Sequence, residues 1–394
     1  MTHEVVRRVS ELSGRLAATA DETERLGRLA DESVKLMREA GVMRLLQPTD
    51  FGGYEAHPRD FAEAVMATSK HCGSTGWVCG VGGVHPWEMA VMDRRLQEEV
   101  WGENPDTWIA SPYAPQGVAV PSDGGYVLRG RWNFSSGTDH CDWIFLGALL
   151  GGSDGKPVEP FTQLHVVLPR ADYRVVADSW DVIGLSGTGS KDIVVDGAFI
   201  PSYRAVRFED IAEGGAAAAR AGRSATLYNL PFWAMFPLGI TAAVIGICEG
   251  VLAAHLDYQR NRITAFGTAI KDDPYVLFAI SEAASEIAAS RTQLLDGISR
   301  LYDMADAGQP IGFTDRADVR RNQIRAAWRA VSAADEIFGR SGGNAARRNN
   351  PLQRFWRDAH VGLQHAIHVP GTVYHATALA SLGVEPQGAL RALI

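Results

Sequence analysis

Four of the chain's eleven histidines fall within residues 341–384, a stretch with no glutamate and one aspartate, Asp358. They are His360, His365, His368 and His375, and His360 directly follows Arg357-Asp358-Ala359. Imidazoles exchange protons near neutral pH, which carboxylates in water do not. If 356–368 is one helix, His360 and His365 differ by about 140° around its axis and His365 and His368 by about 60°. They cannot all face one pocket. The ordinary place for Asp358 is an ion pair with Arg354 or Arg357.

A second candidate is Gly184-Leu-Ser-Gly187-Thr-Gly189-Ser190. Its G-x-x-G-x-G spacing reverses the dinucleotide fingerprint, and it runs into a strand-like segment, so no helix N-terminus would meet a phosphate. It reads as a tight turn between strands, or as a loop whose amides and hydroxyls face a ligand. The four cysteines, Cys72, Cys79, Cys141 and Cys248, form no C-x-x-C pair. The pairs His71-Cys72 and His140-Cys141 lack zinc spacing, so neither a metal site nor a disulfide is expected.

These groups need elements to hold them. Residues 4–46 carry apolar side chains at helical spacing, and helical patterning returns at 59–80 and 88–101. Between those two lies Gly83-Val-His85-Pro-Trp87, whose small residues suit close packing against a neighbour or a ligand. From 106 to 208 the texture changes to short alternating runs. Strands are expected at 126–134, 143–149, 164–168 and 193–200, with turns at Asp123-Gly124-Gly125 and Ser153-Asp154-Gly155. Residues 210–224, rich in Ala and Gly, read as a linker. Long helices follow at 237–264, 273–307, 314–340 and 351–382. The predicted fold class is α+β: an N-terminal helical domain (1–105), a central antiparallel β-barrel or sandwich (106–208) and a C-terminal four-helix bundle (209–394).

The 394 residues carry a net charge of −8 and are 46% hydrophobic. The acidic balance argues against a nucleic-acid or anionic-membrane partner. No apolar run is expected to approach the roughly 20 residues that span a bilayer. The N-terminal segment lacks an apolar signal core, which points to a cytoplasmic protein.

The segment Trp180-Asp-Val-Ile-Gly-Leu-Ser-Gly-Thr-Gly-Ser-Lys-Asp-Ile-Val-Val-Asp-Gly-Ala-Phe-Ile-Pro201 resembles the middle-domain signature of acyl-CoA dehydrogenase-like flavoproteins. Matches at Cys72-Gly-Ser-Thr-Gly-Trp77, Gly83-Val-His85-Pro-Trp87, Ser111-Pro-Tyr-Ala-Pro115, Gly130-Arg-Trp-Asn-Phe-Ser135-Ser136-Gly137 and Gln353-Arg-Phe-Trp-Arg-Asp-Ala-His360 narrow the resemblance. It is to the oxygenase components of two-component, reduced-flavin-dependent monooxygenases. Oxygenases that hydroxylate a phenolic seco-steroid or 4-hydroxyphenylacetate are of this kind.

The resemblance implies reduced FAD or FMN and O2 as cofactors, a separate NAD(P)H:flavin reductase as partner, a C4a-hydroperoxide as the oxygenating species, a small aromatic substrate and a homotetramer. It places Trp77, His85, Ser111 and Ser136 around the flavin ring, with Ser111 near N5 or the distal oxygen and His85 keeping the adduct protonated. Arg262 and Phe266 match an arginine-plus-phenylalanine element for the cofactor phosphate, with one extra residue between them. Ser341-Gly342-Gly343 matches a glycine turn that approaches the flavin of a neighbouring subunit. Trp77, Trp87, Trp132, Phe134, Phe266 and Trp356 are candidates for aromatic walls.

A phenol ionises near pH 10, and a histidine could take its proton. His365 is the expected base, with His360 and His368 in reserve. An acyl-CoA dehydrogenase would need a glutamate base; Glu249 is the candidate outside 341–384. N-hydroxylation of an amine and a flavin-free binding protein on the same fold are the other readings.

Overall fold

The computed structural model describes residues 2–264 and 267–394. The N-terminal patterning resolves into several short helices: α1 (Glu4–Glu11), α2 (Ser13–Ala18), α3 (Ala20–Leu26) and α4 (Asp31–Ala40). Gly27 and Gly41 end α3 and α4 in the left-handed conformation, where a side chain would be strained. Next come α5 (Pro58–Ser69), α6 (Gly73–Gly82), α7 (His85–Met89) and α8 (Arg94–Trp101). Every residue of α6 is buried.

The strands are β1 (Ile109–Ala110), β2 (Gly117–Ser122), β3 (Gly125–Ser135), β4 (Trp143–Leu150), β5 (Gln163–Pro169), β6 (Arg174–Val176), β7 (Lys191–Pro201) and β8 (Ala205–Arg207). They form one sheet in the order β6-β7-β3-β2-β4-β5-β8, with β1 beside β4. The sheet is mixed, not antiparallel as expected, because β1 and β2 both pair with β4 in parallel. β7 occupies the far edge of β3, so β4 is placed beside β2 and runs in its direction. A register shift between Trp132 and Ser135, with Phe134 at φ 67°, bends the end of β3. That irregularity re-aims Ser135 and Ser136.

The expected linker at 210–224 is instead ordered as α9 (Phe208–Ile211) and α10 (Gly215–Arg220). Ala217 and Ala218 are fully buried there, and Arg223 bonds Asp50 and the Ala90 carbonyl. Small side chains here serve close packing rather than mobility.

The long helices are α11 (Phe232–Gln259), α12 (Pro274–Asp306) and α13 (Phe313–Gly339). By length and composition α11 could cross a membrane, which corrects the sequence reading, yet 89% of its apolar window is buried by α5, α6, α12, α13 and α14. The stretch 351–382 is not one helix. It breaks into α14 (Pro351–Leu363), a 3-10 turn at Ala366–His368 and α15 (Gly371–Ser381). Pro370, which lacks a backbone N–H, and His365, which caps the turn from its side chain, end the helical ladder. One contiguous apolar core joins the first helix, the sheet and the bundle, from Val5 to Ile367.

Candidate functional site

Trp77 stands on α6 and turns its indole toward the bent end of β3. Its Nε1–H donates to Ser136 Oγ at 3.2 Å. Ser136 and Ser190 hydroxyls lie 2.7 Å apart, as do Ser190 and Thr188, and Thr188 donates to the Leu185 carbonyl at 2.7 Å. Each hydroxyl has one proton. With Thr188 committed to a carbonyl, Ser190 must donate to Thr188 and Ser136 to Ser190. What Ser136 still offers is a lone pair. The glycine-rich segment is thus a turn that presents hydroxyls to the end of β3. Its Gly184 lies so close to α14 that a Cβ would come within 2.5 Å of the Arg357 carbonyl.

A second group is built on α7 and the segment after β1. His85, fully buried, lies 2.6 Å from the Ile109 carbonyl through Nδ1 and 2.8 Å from Ser111 Oγ through Nε2. A carbonyl only accepts, so Nδ1 carries the proton and Nε2 accepts from Ser111. Burial pushes the imidazole down to about 4, so it is neutral at physiological pH. One turn along α7, Glu88 lies 2.7 Å from His165 Nδ1, both side chains 1% exposed. The Tyr113 ring stacks on His165 at 4.7 Å and meets His85 edge-on at 5.7 Å. Burial and the neighbouring Glu88 hold its hydroxyl well above the usual phenol range. Phe208, Phe232, Trp233 and Phe236 continue the wall, with Phe236 5.2 Å from Tyr113.

His365 faces this wall from the end of α14. Its ring is half-buried, 5.9 Å from Trp77 and 6.3 Å from Phe236. Gly362 permits the approach: a Cβ there would be 3.0 Å from the Trp77 ring. Nδ1 accepts the Ile367 N–H at 3.3 Å, and burial depresses the ring to about 4. In the neutral form its proton therefore sits on Nε2. The other histidines are occupied elsewhere. His368 is fully buried between Thr241 and the Gly362 carbonyl. His360 packs on Trp356 and reaches Asp335 at 3.0 Å, and His375 is exposed.

The remaining expected residues form a separate group at the end of the bundle. Arg262 lies directly over Gly342, where any Cβ would strike its guanidinium, and Gly342 has φ +73°. Ser341 Oγ lies 2.8 Å from His255 Nδ1, and the other ring nitrogen of His255 is buried without a partner among the described residues. Arg262 and Arg340 help line an open cleft of about 430 Å³. None of Trp77, Ser111, Ser136 or His365 lines it. Phe266 lies outside the described residues.

Of the expected aromatic walls among the described residues, Trp77 alone stands in the site. Trp87 and Trp132 are fully buried and bond the Leu227 and Gly147 carbonyls. Phe134 is 69% exposed, and Trp356 stacks on Phe338 at the bundle end. The sequence reading missed Tyr113, the aromatics of 208–236, and Glu88 with His165. The signal for the last pair was a histidine inside an apolar strand, which needs a polar partner, and a glutamate one helical turn after His85. Glu249, the candidate dehydrogenase base, pairs instead with Arg291 at 3.2 Å. Asp358 also departs from expectation. Arg354 and Arg357 pair with Asp21 and Glu24 of α3, and Asp358 accepts the Leu185 N–H at 2.6 Å.

Residues 238–370 match the family model described as acyl-CoA dehydrogenase, C-terminal domain. Over 394 residues the chain is 53% identical to a pigment production hydroxylase of Rhodococcus erythropolis, covering all of both. It is 41% identical to the flavin-dependent monooxygenase oxygenase subunit HsaA of Mycobacterium tuberculosis, covering 97% of this chain and 96% of that one. The solved structure of XiaF from Streptomyces in complex with FADH2 and glycerol superposes with a TM-score of 0.91 at 26% identity, covering 98% and 96%.

Proposed function

Since the chain belongs to the family of flavin-dependent monooxygenase oxygenase components that carry the acyl-CoA dehydrogenase fold, we propose that it hydroxylates an aromatic substrate, phenolic or indolic, with reduced flavin and O2 and with electrons delivered by a separate reductase. The observation that carries the reading is the directed chain from Trp77 through Ser136 and Ser190 to Thr188 and Leu185, set opposite His365 and an aromatic wall. The lone pair left on Ser136 suits an N–H donor. Reduced flavin carries a proton on N5 and oxidised flavin does not, so this face discriminates in favour of the reduced form. When bound, the reduced flavin supplies the electrons that activate dioxygen and put one oxygen atom on the substrate ring.

The chain's own groups prepare that event. His85 holds the Ser111 hydroxyl in one orientation, with its free lone pairs turned away from the imidazole. Tyr113, Phe232, Trp233 and Phe236 exclude water and offer ring faces to a planar substrate. His365 presents Nε2–H, so it stabilises the ionised oxygen of a phenol by donating to it. The sequence reading made it the base; the cap it gives Ile367 favours the donor role.

Arg262, Ser341, Gly342 and Gly343 fit a cofactor phosphate. Gly342 lets the Arg262 guanidinium lie against the backbone, and that guanidinium has no carboxylate partner among the described residues, while Ser341 is buried and bonded to Ile337 and His255 and so only shapes the turn. The separation of this group from Trp77 and Ser136 is accommodated if a second copy presents it, which supports a homo-oligomer; the homotetramer is what the resemblance implies. We place the domain boundaries at 105 and 208, where element type changes from helix to strand and from strand to helix.

The test is to titrate reduced FAD and FMN anaerobically against the purified chain. O2 and a panel of phenols and indoles are then added, and products with one added oxygen atom are sought. Reduced flavin binding tighter than oxidised flavin, with an oxygenated product, is expected. Ser136→Ala should reduce that preference by about tenfold. Equal affinity for both redox forms, or peroxide without product across the panel, would count against the proposal.

A further inference from the structure

Leu185 has both backbone polar groups engaged at the site. Its carbonyl receives the last hydroxyl of the Trp77–Ser136–Ser190–Thr188 chain, and its N–H is donated to Asp358 Oδ1 at 2.6 Å. It sits at φ 53°, a left-handed conformation that a leucine keeps only when its surroundings hold it. The second oxygen of Asp358 lies at the start of α6, where a Cβ on Gly73 would come within 2.7 Å of Oδ2. The residue before α6, Cys72, gives no side-chain cap, so this carboxylate stands at an uncapped helix N-terminus.

One side chain, 4% exposed, therefore meets three elements. They are α6, which carries Trp77; the Leu185 turn, which orders the hydroxyls; and its own α14, whose end leads to His365. The charged groups around it are Arg354 and Arg357 of α14 and Glu24 of α3, with the Cys72 thiol beside them. Burial lifts the Asp358 carboxyl to about 7, against the Leu185 N–H and the two arginines, which favour its ionised form.

We propose that Asp358 is a positioning residue for the flavin face: by binding the Leu185 N–H it locks the turn that orients Thr188, Ser190 and Ser136, without touching flavin or substrate. This rests on the reading that Trp77 and Ser136 face the flavin.

The experiment compares Asp358→Ala, Asp358→Asn and Ser136→Ala in the full chain. It reads the dissociation constant for reduced flavin, the ratio of peroxide to hydroxylated product and the KM for the aromatic substrate. Asp358→Ala is expected to weaken reduced-flavin binding about tenfold and raise the peroxide share, with KM changed by less than about twofold. Asp358→Asn is expected to recover affinity to within about threefold of wild type, because its amide oxygen still accepts from Leu185. Wild-type affinity and coupling in Asp358→Ala would overturn the inference, as would an asparagine variant as impaired as the alanine one. Should Asp358→Ala not fold, Gly73→Ala displaces Oδ2 from the other side and carries the same expectation, with wild-type affinity again the overturning result. If Ser136→Ala leaves flavin affinity unchanged, the flavin-face reading itself fails. If Ser136→Ala weakens binding and Asp358→Ala does not, only the inference fails.

Discussion

At the scale of the residue, protons are assigned by what each polar atom must do. Ser136 ends as an acceptor because Thr188 is committed to a carbonyl, and His365 ends as a donor because Nδ1 caps Ile367. His365→Gln, which keeps an N–H, should therefore retain more activity than His365→Ala. The alanine variant is expected to lose about ten- to a hundredfold in kcat, the worth of a hydrogen bond to a charged oxygen. With its ring pushed down to about 4, His365 should contribute no inflection to a kcat profile between about pH 6 and 8. A base poised near neutrality would give one. Asp358 works the other way. Its folded pKa of about 7 lies above the ordinary aspartate value of about 3.9, so its contribution to stability is full below that lower value and is lost as pH rises through the upper one. The Tm of Asp358→Asn relative to wild type should accordingly rise between about pH 5 and 8, read by a thermal shift series.

At the scale of the element, the site depends on close approaches that glycine permits. α6 and α11 cross at Gly80 and Gly239, where a Cβ on either would run into the other's backbone carbonyl. Gly239→Ala should destabilise the fold by about 1–3 kcal/mol, measured by denaturant unfolding, since backbone cannot yield as a side-chain end can. It should also loosen Phe236, which lies on the same helix. The short helix α7 places His85 and Glu88 on adjacent turns, so one element serves both Ser111 and the His165–Tyr113 stack. Glu88→Ala leaves the buried Nδ1 of His165 without its hydrogen-bond partner and should cost about 1–3 kcal/mol. Tyr113→Phe removes a hydroxyl that has no hydrogen-bond partner among the described residues, so stability should change by less than about 1 kcal/mol while the ring wall is kept.

At the scale of the whole molecule, one core runs through helices, sheet and bundle, and buried imidazoles stud it. Burial depresses His85 and His255 to about 4 and His368 to about 3. Their folded values lie below the unfolded one of about 6.5, so the stability they contribute is present above that pH and is lost as pH falls towards about 4. Acid unfolding should steepen in that window, and His368→Gln should flatten it, as followed by circular dichroism. Much of this architecture was legible beforehand. Alternating runs marked the four longest strands, helical spacing marked the bundle, and the motifs around Trp77, His85, Ser111 and Ser136 pointed to a flavin oxygenase. Those signals are local, because periodicity and turn chemistry depend on near neighbours along the chain. The parallel pairing of β2 with β4, the break between α14 and α15 and the separate surroundings of the four histidines needed the tertiary structure. So did the partner of Asp358, which lies 173 positions away at Leu185. Which polar atoms are buried together, and hence which direction each proton must point, is settled only when segments distant in sequence close on one another and exclude water.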